Sequence, residues 1–468
     1  MTALFVEPAI SRPGWFNRET TFELYNAIRF TSSHKTMVKR KITIGPYLAI
    51  PLCFIFIATA AAQDTAIRAG RLIDPESGKV LTNQTILIHD NKIEAVGTNI
   101  IISSNAKVID LSNATVLPGL IDCHTHLADG AHGSEPMGIF RKTAAELALE
   151  SVPNARAMLE SGFTTVRDVG TYRALGDVAL RDAINRGDII GPRMFVAGAY
   201  VTITGGAGSD SGLAPDITLP WDMHFGEANG PWEVRQVIRK LAYNGVDHIK
   251  ILSSGAVLTH GSNPHSQEFT LEELQAAVDE ASHFGLRVES HAHSPEGIKN
   301  AILAGVASVE HASMIDDEGI ALAKQHGTYL DMDIYDEECI QEEGRLGKMP
   351  KDFLEHDAQL GQLQRDNFRK AVAAGAKMSF GTDAGVCPYG TSGKQFAFMV
   401  KYGMTPMQAI QAATSNAADL LGHSNEVGSI KPGKYADIIA VTGDAIADIR
   451  LLENVQFVMK DGKIFKQF

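Results

Sequence analysis

Cysteine is scarce in this chain. Only Cys53, Cys123, Cys339 and Cys387 occur among 468 residues. Cys53 falls in an amino-terminal segment that stands apart from the fold. The other three are scattered and form neither a disulfide framework nor a Cys-x-x-Cys metal knuckle. They read as packing residues, and a Cys123–Cys387 bridge has no support in the sequence. Positive charge is also in short supply. The formal net charge is -13 and the folded part has no dense Lys/Arg run, which argues against nucleic acid as a partner. No repeat of solenoid or propeller period is present. The glycines from Gly205 to Gly212 lack a following P-loop Lys-Ser/Thr, so they shape a loop rather than cradle a phosphate.

The longest apolar stretch, Leu48 to Ala58, is interrupted by Pro51 and preceded by Pro46. It follows the basic start Met37-Val38-Lys39-Arg40-Lys41 and precedes Ala60-Ala61-Ala62, so the three parts of a secretory signal peptide stand in order. The expected organisation is therefore an upstream extension outside the fold (1–36) and a signal peptide (37–62). Translation is expected to start at Met37. The mature protein is expected to be exported, to a bacterial periplasm or the medium, without a stable membrane anchor.

What remains has an ordinary soluble composition, 44% hydrophobic and 21% charged, and is long enough for one large domain and a smaller one. Short β-type runs open it at Ala66–Leu72, Thr85–His89, Ile93–Val96 and Lys107–Asp110. Others close it at Ile438–Val441, Val455–Met459 and Lys463–Lys466. These ends predict a composite β-sandwich from 63–117 and 423–468. Between them, over 118–422, strand and helix signals alternate. Strands are predicted at Thr115–Ile121, Thr164–Val169, Arg193–Ala197, His248–Leu252, Arg287–Ser290, Ser308–Glu310, Thr328–Ile334 and Lys377–Phe380. Helical stretches include Lys142–Ser161, Pro231–Asn244, Thr270–Phe284 and Asp357–Ala374, and Thr270-Leu271-Glu272-Glu273 has the form of a capping box. About eight such units predict an α/β fold of the (β/α)8 TIM-barrel type, with a doubly wound open sheet as the other arrangement.

Barrel enzymes carry their chemistry at the carboxyl ends of the strands. The first strand ends in His124-Thr125-His126, and i, i+2 spacing puts both rings on one side. Asp122 is placed to orient one of them. The fourth strand carries Lys250 inside an apolar run, where an unpaired ammonium is costly. The fifth ends at His291-Ala292-His293, the sixth at Glu310-His311, and the eighth at Gly381-Thr382-Asp383. Arg167 and Asp168, ending the second, read as a structural ion pair.

This order resembles the amidohydrolase superfamily across essentially the whole mature chain: His-x-His on strand one, Lys on four, His on five and six, Asp on eight. Lys250–Val257, Thr202–Gly206 and Asp331–Tyr335 bring it nearest to the binuclear Xaa-Pro dipeptidase-like and carboxypeptidase-like subgroup, which includes ochratoxin-hydrolysing amidases. Ala207 departs from relatives that carry His in the Gly-Gly-x-Gly loop. The resemblance implies His124, His126, Lys250, His291, His311 and Asp383 as ligands of two divalent metal ions, zinc being the expected element.

Elementary chemistry agrees with this assignment. Burial lowers the lysine pKa from about 10.4, and the neutral amine can take up carbon dioxide. The resulting Lys250 carbamate has two oxygens with which to bridge metals. Paired ions about 3.5–4 Å apart share a hydroxide as nucleophile. Asp383 then serves as catalytic acid/base, with His293 in substrate or transition-state contact. The acidic run Asp331, Asp333, Asp336, Glu337 and Glu338 follows strand seven. Asp333 and Tyr335 are expected at the mouth, where carboxylates favour a basic leaving residue.

The expected function is hydrolysis of an amide bond next to a carboxyl-terminal amino acid, in a small peptide or an N-acyl amino acid such as ochratoxin, by a homo-oligomer. Two other readings stand beside it: a cyclic-amide hydrolase or deaminase of the imidazolonepropionase type, and a non-catalytic metal-binding barrel. Lys250 speaks against the former and Asp383 against the latter.

Overall fold

The computed structural model describes residues 64–129, 138–209, 214 and 216–468. The expected extension and signal peptide, 1–62, lie outside the described residues. Among those described, no helix is long and apolar enough to cross a membrane.

Strands from both ends of the described chain join in one sheet. From the amino-terminal side come β1 (Thr65–Asp74), β2 (Lys79–His89), β3 (Lys92–Gly97) and β4 (Lys107–Pro118). From the carboxyl-terminal side come β13 (Ile438–Thr442), β14 (Phe457–Lys460) and β15 (Lys463–Lys466). The order is β15-β14-β13-β4-β1-β2-β3, so hydrogen bonding runs unbroken across the two sets. The long β4 makes the junction, parallel to β1 and antiparallel to β13. Alternation along the strands, as at Ile86 and Ile88, turns apolar side chains to one buried cluster with Ile67, Val116, Ile438 and Phe457.

The barrel strands are β5 (Leu120–Thr125), β6 (Phe163–Asp168), β7 (Arg193–Val196), β8 (Tyr200–Val201), β9 (His248–Leu252), β10 (Arg287–Ala292), β11 (Ser308–His311) and β12 (Tyr329–Asp331). All the pairs among them are parallel. β7 and β8 share the third position, interrupted at Ala197–Ala199. The eighth position is the irregular run 377–384. Its carbonyls accept from β12 and from the β5 end through Leu330 N–H to Lys377 O (2.9 Å), Cys123 N–H to Phe380 O (2.7 Å) and His126 N–H to Ala384 O (2.8 Å), and Ser379 N–H donates back to Leu330 O (3.2 Å). Helices follow the strands, and the predicted box is made: Thr270 accepts from Glu273 N–H while Glu273 accepts from Thr270 N–H at 2.8 Å, opening the helix Leu271–Ser282.

Two expectations need correction. Thr115–Ile121 is not one barrel strand. Thr115–Pro118 pairs with β13, and the chain enters the barrel only after Gly119, where a Cβ would lie 2.0 Å from Thr164 Oγ1. Both halves are buried on both faces and, apart from Thr115, carry no polar side chain, so periodicity cannot divide them. The cysteines are not all packing residues either. Cys339 is bonded to Cys387, with Cα atoms 5.4 Å apart, and Cys123 is buried and free. A bridge between residues separated by 48 positions depends on tertiary proximity that spacing does not reveal.

Candidate active site

Strand ends converge at the carboxyl-terminal mouth of the barrel. His124 and His126 leave β5 on the same side, and their Nε2 atoms lie 3.6 and 3.1 Å from Asp383 Oδ1. His291, His293 and His311 bring one ring nitrogen each within 4.8 Å of one another, as do His124, His311 and Asp383 with one ligand atom each. Lys250 projects from β9 among them, buried, and its Nζ has no hydrogen-bond partner.

The rings are aimed by their second nitrogens. Nδ1 of His124 meets Glu310 Oε2 at 3.0 Å, that of His311 meets Asp333 Oδ2 at 2.7 Å, and that of His293 meets Ser313 Oγ at 2.8 Å. His126 Nδ1 sits 3.1 Å from Gly170 O and 2.9 Å from the Tyr200 hydroxyl, which donates to Asp129 at 2.9 Å. His291 is turned the other way, its Nε2 lying 3.2 Å from Gly255 O. A neutral imidazole that donates through one nitrogen offers a lone pair at the other. Burial holds His124, His291 and His293 well below the ordinary histidine range, and it also lowers the Lys250 amine. Burial acts on His311 too, but the Asp333 carboxylate outweighs it and that ring is raised instead. Buried imidazoles, a carboxylate and an orphaned buried amine form a donor set that fits divalent ions.

His311 and Asp383 adopt left-handed backbone conformations, with φ of 65° and 49°. Non-glycine residues rarely do so, and such strain concentrates where surrounding structure enforces it at functional sites.

Several sequence assignments move. Asp122 orients no ring: it accepts from the His124 backbone N–H (3.2 Å) and from Thr382 Oγ1 (2.6 Å), tying strand one to strand eight. Burial pushes its carboxyl up to about 7, although those bonds oppose the shift. Glu310 takes the orienting part instead. Arg167 does not pair with Asp168, because successive residues of a strand point to opposite faces. Arg167 reaches Glu289 (2.6 Å) and Glu310 (2.9 Å) in the barrel interior. Asp168 accepts from Leu127 N–H (2.5 Å) on the other side.

The acidic run is also split. Asp331 faces the interior near Arg167, and Asp333 is held by His311 and by Gln364 (2.6 Å). Asp336, Glu337 and Glu338 form the first turn of the helix Asp336–Arg345. Asp333, Asp336 and Glu337 line the cavity together with Asp357 from another helix. Tyr335 is not a lining residue: its ring packs 5.4 Å from Phe398, beside the disulfide. Leu252, Ala256, Val257, Leu258 and Ala207 supply apolar lining to the same cavity. Ala207 O accepts from Thr259 Oγ1 (2.8 Å) and its N–H is held by Glu268 (2.8 Å), so the loop is pinned from both sides. Glu310 and Asp357 went unrecognised in the sequence. For Glu310 a signal existed, a carboxylate inside the apolar strand Val309-Glu310-His311.

Comparison with known proteins supports the same grouping. The chain is 31% identical over 437 residues to ochratoxinase of Aspergillus niger, covering 88% of each chain. In structure it is similar to a Xaa-Pro dipeptidase with methionine bound in its active site, with a TM-score of 0.81, 40% identity, and coverage of 86% of this chain and 100% of that one. A prolidase complexed with N-methylphosphonate-L-proline also superimposes with a TM-score of 0.81 at 27% identity, covering 87% of this chain and 100% of that one. The pattern of the amidohydrolase family matches residues 115–465. The chain belongs to the amidohydrolase family and is a hydrolase of carbon–nitrogen bonds.

Proposed function

We propose that this protein hydrolyses the amide bond preceding a carboxyl-terminal amino acid, in dipeptides or N-acyl amino acids, with two divalent metal ions, zinc by preference. The observation that carries the reading is the convergence of four histidines and Asp383 around the unpartnered Lys250 amine. Similarity to an ochratoxinase and to a Xaa-Pro dipeptidase supports the substrate class.

His124, His126 and Asp383 would hold one ion and His291 and His311 the other. Lys250 would join them as a carbamate, its neutral amine forming an N–C bond to carbon dioxide and releasing a proton. Bound ions supply an acidified water and polarise the scissile carbonyl. Asp383, anchored by His126, takes the proton of the attacking water and returns it to the leaving amine. His293, fixed through Ser313, presents Nε2 towards the substrate.

Asp357 in the cavity lining favours a basic leaving residue, whereas burial and the Asp333 charge push the Asp336 carboxyl well up. Arg365 is engaged by Glu337 (2.5 Å) and Glu338 (3.1 Å) rather than by Asp357, and carboxylates in a low-dielectric cleft concentrate cations. Burial pushes the Asp357 carboxyl up to about 6, against a hydrogen bond from Gln341.

The test is kcat/KM for matched dipeptides and N-acyl amino acids ending in Arg, Lys, Pro, Phe and Glu, with metal content measured on the same preparation. Arg and Lys should lead and Glu should trail, with the preference reduced in Asp357→Asn. Equal values for Arg and Phe would remove the acidic wall from specificity, and no turnover of any member by metal-loaded protein would remove the substrate class. Residues 37–62 support export, and amino-terminal sequencing of the exported form should begin near Gln63. Self-association is read out by light scattering.

A further inference from the structure

The interior of this barrel is charged where such interiors are usually filled by layers of branched apolar side chains. Glu289, Glu310 and Asp331 come from the adjacent strands β10, β11 and β12 and Arg167 from β6, and their side chains are at most 3% exposed. Arg167 meets Glu289 at 2.6 Å and Glu310 at 2.9 Å, with Asp331 at 3.9 Å. His248 lies 3.0 Å from the far oxygen of Glu289. Stability does not account for such a network, because well-packed apolar residues of similar volume often do as well or better than buried ion pairs.

Its position accounts for it. In the strand register Glu310 lies beside His291 and Asp331, directly beneath the proposed ligands. Both Glu310 oxygens act as acceptors. Oε1 takes hydrogen bonds from Arg167 Nη2 and Ser308 Oγ, and Oε2 takes one from His124 Nδ1. Arg167 is a permanent donor fork with no acceptor, so it locks the carboxylate with Oε2 turned to the ring. That requires the His124 proton on Nδ1 and leaves the lone pair of Nε2 facing Asp383.

We infer that Glu310, locked by Arg167 and Ser308, is the positioning residue that selects the His124 tautomer able to hold a metal ion. The inference rests on the reading of His124 as a ligand. Glu310→Gln is the informative variant because its amide has one acceptor and one donor end. Arg167 and Ser308 claim the acceptor, so the amide N–H₂ faces His124 and drives the ring proton onto Nε2, where it blocks coordination.

The experiment measures zinc affinity and stoichiometry by chelator competition on full-length mature protein, together with Tm of the metal-free form. Glu310→Gln should weaken one of the two zinc ions by about 10- to 100-fold, the scale of lost outer-shell partners. Asp331→Asn alters the same network without touching His124 and should leave both ions in place. Ser308→Ala should weaken the same ion to a smaller degree. If Glu310→Gln binds zinc like the parent, the inference is wrong. If Asp331→Asn loses the ion as readily, the carboxylates themselves hold it and the inference is equally wrong. Should Glu310→Gln not fold, unchanged zinc affinity in Ser308→Ala would assign the network to folding alone and overturn the proposal. A parent protein that takes up no divalent ion would instead sink the ligand reading on which this one rests.

Discussion

The Cys339–Cys387 disulfide fastens the helix that follows strand seven to the loop that carries Asp383. Ile340 and Val386, the chain neighbours of the two cysteines, both line the cavity. The bridge thus braces the cavity wall next to a residue held at positive φ. Replacing both cysteines by alanine should lower the unfolding free energy by about 2–4 kcal/mol, a typical disulfide contribution, and reduce kcat/KM several-fold with metal content intact. Denaturant unfolding beside steady-state kinetics checks this. An unchanged kcat/KM would confine the bridge to stability.

Lys250 is the buried amine around which the histidines gather. Lys250→Ala should lose at least one metal ion and nearly all turnover. If the variant keeps both ions and most of its activity, the bridge is wrong. Metal analysis with rate measurements on one preparation decides the matter.

Asp383 should separate binding from chemistry. Burial raises its carboxyl, but the hydrogen bond from His126 outweighs that, and the carboxyl lies below its ordinary value. Asp383→Asn is expected to retain at least one ion and to lose kcat by roughly a hundredfold or more, the lower end of general acid–base contributions. A kcat within a few-fold of the parent would assign the proton transfer elsewhere.

Glu268 should make stability fall with rising pH. Burial pushes its carboxyl from 4.5 up to about 7, while the Ala207 N–H pulls the other way. The folded state therefore binds this proton more tightly than the unfolded chain. Stability from this group is greatest below pH 4.5 and is lost as pH rises through about 7. Glu268→Gln keeps an acceptor for Ala207 without the buried charge. Its Tm should exceed that of the parent above pH 7 and match it near pH 4.5, as thermal melts across that range would reveal.

Much of this protein was legible along the chain. His124 and His126 share a side because a strand has a period of two, and Lys250 was conspicuous as an ammonium type inside an apolar run. Alternating strand and helix signals carried the barrel, and Thr270 with Glu273 marked a helix start that is made as expected. Such features are local, set by backbone geometry and by the cost of burying charge. What lay beyond the sequence depends on which side chains meet across the barrel. Glu310 rather than the neighbouring Asp122 orients His124, Arg167 turns inward to Glu289 and Glu310, and Cys339 finds Cys387. The run Thr115–Ile121 divides between two sheets for the same reason. After Thr115 it carries no polar side chain, and only the neighbours each half buries against, β13 on one side and β6 on the other, distinguish the two halves.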